Sequence, residues 1–250
     1  LIGDFIIGFT YIPRGFAYIM LPGLRRYVAL PILINVVLFL SAFVLLLERL
    51  GSWLDGLLPH SLSWLSWLIL PLLFLALSLG VFYTFGLVAN LIASPFNALL
   101  AENLELQMGG RPPSAGAGFK ATLRSALIGI ATQLAALAYQ LIRLVPLLVL
   151  FLVPIVNIAA TSILILFSAW MLAIGYLSTP MGNHDMSFRE VRAICAQRKG
   201  LVLGLGTGLV LLTWIPLLNL LVLPAGTAAA TALWHEKLAH LRHPSGHSRP

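Results

Sequence analysis

Charge is what this sequence most lacks. Of its 250 residues only 9% are charged, against roughly 25% in soluble domains, while 60% are hydrophobic and the mean hydropathy is +0.97. Those figures exclude an ordinary soluble domain and specify an integral membrane protein. Acidic residues are scarcest, 8 against 15 Lys and Arg, which leaves a formal net charge of +7. The cations are scattered beside apolar runs, with no basic stripe interleaved with aromatics, so the excess reads as membrane topology and no nucleic-acid partner is expected. The single cysteine, Cys195, excludes an intramolecular disulfide framework and any Cys-based metal site.

Catalytic signatures are missing too. There is no GxSxG and no GxxxxGK[ST], hence no visible nucleophile or ATP loop. The histidines of HEKLAH, residues 235 to 240, are spaced by five, whereas two zinc ligands on one helical face need a spacing of four. GLGTG, residues 204 to 208, follows no strand and has the wrong third spacing for a dinucleotide fingerprint; Gly204 and Gly208 instead form a close-packing small-residue face. No enzyme activity, catalytic residue, cofactor or metal is expected. The first residues, LIGDF, show none of the basic, apolar and small-residue pattern of a cleavable signal, so later segments are expected to direct insertion.

What is present is a succession of apolar segments. Phe5, Phe9, Ile12, Phe16 and Ile19 recur at steps of four, three, four and three, with Arg14 opposite. That pattern fits an interfacial helix over residues 1 to 22 or, equally, a helix packed on the rest of the protein. A first transmembrane helix is expected to run from about residue 28 to Leu47, ended by Glu48 and Arg49 and followed by Trp53, Trp64 and Trp67 at headgroup level. A second is expected from Leu68 to Ala101, bent or weakened at Pro95, so that residues 24 to 108 hold both long spans. GGRPPSAGAG, residues 109 to 118, reads as a loop.

The C-terminal half repeats itself. LVPLLVLFLVPIVNIAAT, residues 144 to 161, and WIPLLNLLVLPAGTAAAT, residues 214 to 231, align without gaps, matching Pro146 with Pro216, Pro154 with Pro224, and Ala159-Ala160-Thr161 with Ala229-Ala230-Thr231. The repeat predicts two helical hairpins, over 119 to 180 and 186 to 238, before a tail at 239 to 250. In the second, the prolines leave arms of about 15 residues, or about 22 Å of helix, short of a hydrocarbon core of about 30 Å. Such a hairpin re-enters on the face it came from, while two short full spans remain the rival reading. The fold class is therefore all-α: one membrane domain with an N-terminal interfacial helix, two long transmembrane helices and two re-entrant hairpins. In that plan every Lys and Arg except Arg49 and Arg143 falls on one side, which the positive-inside rule makes the cytoplasm.

Two places have the residues for anion chemistry. Arg25 and Arg26 follow Pro22-Gly23 at the start of the first span, where free helix N–H groups and the positive dipole end favour an oxyanion and each guanidinium offers paired donors. Paired arginines before a span are also ordinary topology signals and lipid-headgroup contacts, so both readings stand on the residues alone. Glu102 and Glu105 lie three apart at the exit of the second span. Glu102, with Asn97 and Arg111, is the candidate for a pore or gate, and Glu105 reads as a solvated helix end.

PGLRRY at 22 to 27, LIASPFNALLAENLE in the second span, FRE at 188 to 190 and IPLLNLLVLPAGTAAATALW near the end resemble the CysZ sulfate permeases of bacteria, over nearly the whole chain. The resemblance implies ATP-independent sulfate uptake across the inner membrane to supply cysteine synthesis, by a multi-pass homo-oligomer. It also implies a sulfate-binding motif on Gly23, Leu24, Arg25 and Arg26.

Overall fold

The computed structural model describes residues 1–57, 66–112, 119–150 and 157–242. These form α1 (Ile2–Ile19), α2 (Arg25–Leu57), α3 (Ser66–Gln107), α4 (Phe119–Leu150), α5 (Asn157–Gly182), α6 (Phe188–Gln197), α7 (Lys199–Thr213) and α8 (Pro216–Leu233). A π-helical turn, Trp234–Leu238, and a 3-10 turn, Ala239–Leu241, follow. The described residues contain no strand. The chain divides into two compact units, Leu1–Arg25 with Asn97–Pro250, and Arg26–Phe96.

Among the described residues, two segments are long and apolar enough to cross a membrane: Arg25–Arg49 in α2 and Ile158–Gly182 in α5. At 25 residues each, they reach about 37 Å, beyond a hydrocarbon core of about 30 Å. Each has an outward apolar face, with Leu33 60% and Ile158 84% exposed, as lipid-facing surface requires, while Leu46, Ile174 and Leu177 are buried. Expectation had placed both long spans in residues 24 to 108. That stretch holds α2 and α3, a helix of 42 residues, and Ile158–Gly182 is a further segment of spanning length in what had been read as the first hairpin.

One boundary differs from the expected ones. Glu48 and Arg49 do not end α2, which continues to Leu57 and takes in Trp53; Trp64 lies outside the described residues. Pro95 lies inside α3, which runs from Ser66 to Gln107. A proline interior to a helix frees one carbonyl, a cost that neighbouring groups in a membrane protein absorb. The loop expected at 109 to 118 is described only as far as Pro112, where the chain is non-helical.

In the larger unit, α1 lies on α7 and α8. Its buried face is Gly8, Tyr11, Ile12, Gly15 and Ile19. Ile12 and Ile19 belong to the apolar stripe read from the sequence, but the glycines decide the fit. A Cβ at Gly8 would collide with the Leu201 carbonyl, and one at Gly15 with the Ala225 carbonyl. From the other side Gly204 meets the Phe5 carbonyl. Backbones this close are the packing that small residues permit between membrane helices. The opposite side of α1 leaves Ile2 and Ile6 exposed.

α7 has 15 residues and α8 has 18, the reach expected for the arms of the second hairpin. The turn between them is Trp214–Ile215, and Pro216 opens α8 at N1, where its missing N–H costs nothing. α6 and α7 meet at Arg198 with a bend of 106°. Arg198 there donates to Asp4 of α1 at 3.2 Å.

Candidate anion site

The segment between α1 and α2 is a tight turn. Leu21 N–H donates to the Tyr18 carbonyl at 3.0 Å and Leu24 N–H to the Leu21 carbonyl at 3.2 Å. Gly23 holds φ +86°, a left-handed conformation that a Cβ would strain, so this glycine is required by the turn itself. Leu24 is fully buried and anchors the turn. Arg25 Nε donates to the Met20 carbonyl at 2.5 Å, tying the start of α2 to the end of α1. The Arg26 guanidinium lies 4.8 Å over the Tyr27 ring and donates to its hydroxyl at 2.9 Å. Both arginines remain exposed.

The turn thus delivers two held but solvent-facing guanidinium groups to a helix N-terminus whose first N–H groups have no intrahelical acceptor. The Gln107 amide nitrogen, at the end of α3, lies 3.7 Å from the position a Gly23 Cβ would take. The open face of Gly23 therefore has a further donor beside it. Chemically, the arrangement suits a tetrahedral oxyanion. Leu24 takes the part of anchor, since its N–H is already spent within the turn.

The candidates at the end of α3 separate. Asn97 is buried, Glu102 is half-buried and Arg111 is exposed. The carboxylate with a partner deep in the fold is Glu105, 3% exposed, whose Oε1 lies 2.7 Å from His184 Nε2. It is no solvated helix end, because the loop after α5 folds over it. Arg242 completes the cluster, donating to the His184 carbonyl at 3.2 Å and lying 3.3 Å from His184 Nδ1. The His184 ring stands edge-on to Trp234, and Asn183 donates to the Ala98 carbonyl at 3.0 Å. Glu105 Oε2 is buried and has no hydrogen-bond partner.

Sequence reasoning missed Asn183, His184 and Arg242. The available signal was the polar run Asn183-His184-Asp185 directly after the apolar segment. Arg242 fell in the expected tail at 239 to 250, and nothing local marks it otherwise. A second polar contact joins α1 to the chain end: Tyr11 donates to Glu236 Oε2 at 2.6 Å and Arg14 pairs with it at 3.3 Å. Burial, with that carboxylate as hydrogen-bond partner, pushes the Tyr11 phenol well above its ordinary range. Burial likewise pushes the Cys195 thiol up to about 12, which makes it inert packing.

Comparison with known proteins shows the family. A family profile described as "Sulfate transporter CysZ/Etoposide-induced protein 2.4" matches residues 11–224. A sulfate transporter CysZ of Salmonella paratyphi A is 38% identical over 231 residues, covering 91% of each chain. A protein of the same name from Vibrio parahaemolyticus is 36% identical over 239 residues, 94% of this chain and 96% of its own. The chain belongs to this family. Its relatives are named for transport, a non-enzymatic function. The matched stretch contains the whole Gly23 to Arg26 turn together with Asn97, Glu102, Glu105, Arg111 and His184, while Glu236 and Arg242 lie beyond it.

Proposed function

We propose that this protein carries sulfate across the bacterial inner membrane without an ATPase, feeding cysteine biosynthesis, and that the turn Gly23 to Arg26 is where sulfate binds. The observation that carries the reading is the left-handed Gly23 followed by Arg25 and Arg26 at the N-terminus of α2. The relatives named as sulfate transporters supply the substrate. Gly23 and the first turn of α2 offer backbone donors, the two guanidinium groups offer charge and paired N–H groups, and Leu24 holds the turn in place. Asn97, Glu102 and Arg111 would gate the path, with the Glu105 cluster behind them. The α7–α8 hairpin is proposed to be half-penetrating, α1 to lie at the cytoplasmic interface, and copies of the chain to assemble as a homo-oligomer in a single orientation.

Two measurements test this. Purified protein in liposomes should take up labelled sulfate faster than empty liposomes, and equal rates across pH and membrane potential would favour a non-transporting scaffold of the same fold. Calorimetric titration of an Arg25→Lys/Arg26→Lys variant examines the site. Lysine keeps the charge, and so the insertion signal, but lacks the planar fork. Each charge-assisted hydrogen bond is worth about 1.5–3 kcal/mol, so sulfate affinity should fall by about tenfold or more. Normal insertion with unchanged affinity would leave the arginines as topology signals only.

A further inference from the structure

A cavity of about 530 Å³ lies between α4, α5, α6 and α7, away from the Gly23 turn. Arg143, Arg192 and Lys199 line it, and no Asp or Glu does. The Arg143 guanidinium lies 3.7 Å from the centroid of the Tyr139 ring, and that of Arg192 lies 4.8 Å from the same centroid. Among the described residues, none of the three cations has a carboxylate within ion-pair distance. Like charges gathered around one ring beside apolar walls repel one another more strongly than they would in water, and an anion between them relieves that cost.

The rest of the lining chooses among anions. Ile163, Leu166, Trp170 and Leu203 make the other walls. Ile163 and Leu166 are 47% and 53% exposed on α5, a helix able to cross the membrane. The cavity therefore has a cationic end and a side that is apolar and open. A free inorganic anion would match only the first. We propose that this cavity binds an anionic phospholipid, with its phosphodiester between Arg143, Arg192 and Lys199 and an acyl chain along Ile163 and Leu166. A choline headgroup would bring a further cation to a site already rich in them, so phosphatidylglycerol should be strongly preferred to phosphatidylcholine.

Native mass spectrometry of the full chain in detergent, with each lipid added in turn, tests the site. Phosphatidylglycerol should be retained about tenfold or more over phosphatidylcholine, converting to a difference of about 1.4 kcal/mol. Arg143→Gln/Arg192→Gln should abolish that preference. Should the double variant not fold, Arg143→Gln alone keeps the test, because its side chain is exposed; the preference should then fall at least about threefold, in line with one lost charge contact. Inorganic phosphate at millimolar concentration should not displace the lipid. Equal retention of the two lipids, an unchanged preference in the variants, or displacement by inorganic phosphate would each overturn the proposal. None of these readouts depends on sulfate transport.

Discussion

The two hairpins carry the same eighteen-residue pattern and put it to different use. In α8, Ala229, Ala230 and Thr231 are all buried, whereas of their counterparts in α5 only Ala160 is buried and Ala159 and Thr161 are exposed. Pro216 opens α8, while its counterpart Pro146 lies inside α4, which continues to Leu150. The difference is one of partners. α1 covers α7 and α8 through Gly8, Gly15, Gly200 and Gly204, so that hairpin packs backbone against backbone. α4 and the first half of α5 instead turn Leu137, Ile142, Leu148 and Ile165 outward, while the second half of α5 packs on α7, where Gly206 meets the Ala169 carbonyl. Helices gain little hydrophobic drive in lipid, so small residues mark the hairpin that sits inside protein and large ones mark the hairpin that meets lipid.

The most damaging way to break this contrast is to put volume into the packed hairpin. Gly204→Leu forces a side chain into the Phe5 carbonyl, and neither backbone can yield without parting α1 from α7. We expect a loss of more than about 3 kcal/mol, at the upper end for overpacked cores, seen as a large drop in the detergent unfolding midpoint. An unchanged midpoint would mean that α1 does not pack on α7.

Much of this arrangement was legible in the sequence, and the parts that were not share physical causes. The arms of the second hairpin and its turn at Pro216 follow from arm length and proline chemistry, which are local. The packed face of α1 was half legible: the apolar stripe includes Ile12 and Ile19, but Gly8 and Gly15 count as weak helix formers in any periodicity, and only a partner backbone reveals their use. The apolar segment of α5 lies within the run read as the first hairpin, whose arms are longer than those of the second. At the candidate site, charge and glycine left the Gly-Leu-Arg-Arg turn open between an oxyanion site and a topology signal, and only the family resemblance implied sulfate. The Glu105–His184 pair was not legible, since 79 residues separate its members and neither is marked by its neighbours.

A gentler pair of substitutions sharpens the comparison at matched positions. The Ala229 Cβ lies 2.8 Å from where a Gly15 Cβ would stand, so Ala229→Leu overfills the contact and should cost about 1–3 kcal/mol. Ala159→Leu, at the equivalent place in the repeat, adds a side chain to an exposed helix surface and should stay within about 0.5 kcal/mol. Equal costs would show that the two copies are packed alike and would undo the distinction.

The junction after α5 offers a comparable loss from a polar cause. Glu105→Ala removes the acceptor facing His184 and leaves a buried imidazole without its partner, a cost of about 1–3 kcal/mol. Glu105→Gln keeps an oxygen at the same reach and should cost less. Hydrogen exchange of the Asn183 and His184 amides would report the effect locally. Identical protection in both variants and in the parent would show that the pair does not hold the end of α3 to the loop after α5.

The smallest effect belongs to the connector between the hairpins. Ser187 caps α6: its hydroxyl accepts from Glu190 N–H at 3.4 Å, while its own hydroxyl and backbone N–H donate to Glu190 Oε2 at 2.7 and 2.8 Å. Those bonds, the Ser187 hydroxyl first and its backbone N–H next, hold the Glu190 carboxyl below its ordinary range. A depressed folded-state value means that the contribution is complete above the ordinary carboxylate range and is lost as pH falls through the depressed value. Ser187→Ala should therefore cost about 1 kcal/mol near neutral pH, the usual worth of such a cap, and the gap to the parent should close in acid. Amide exchange across Val191 to Cys195, followed from neutral to acid pH, reads this directly. A gap that stays constant with pH would assign the cost to the lost Ser187 acceptor alone and remove the Glu190 carboxylate from the cap.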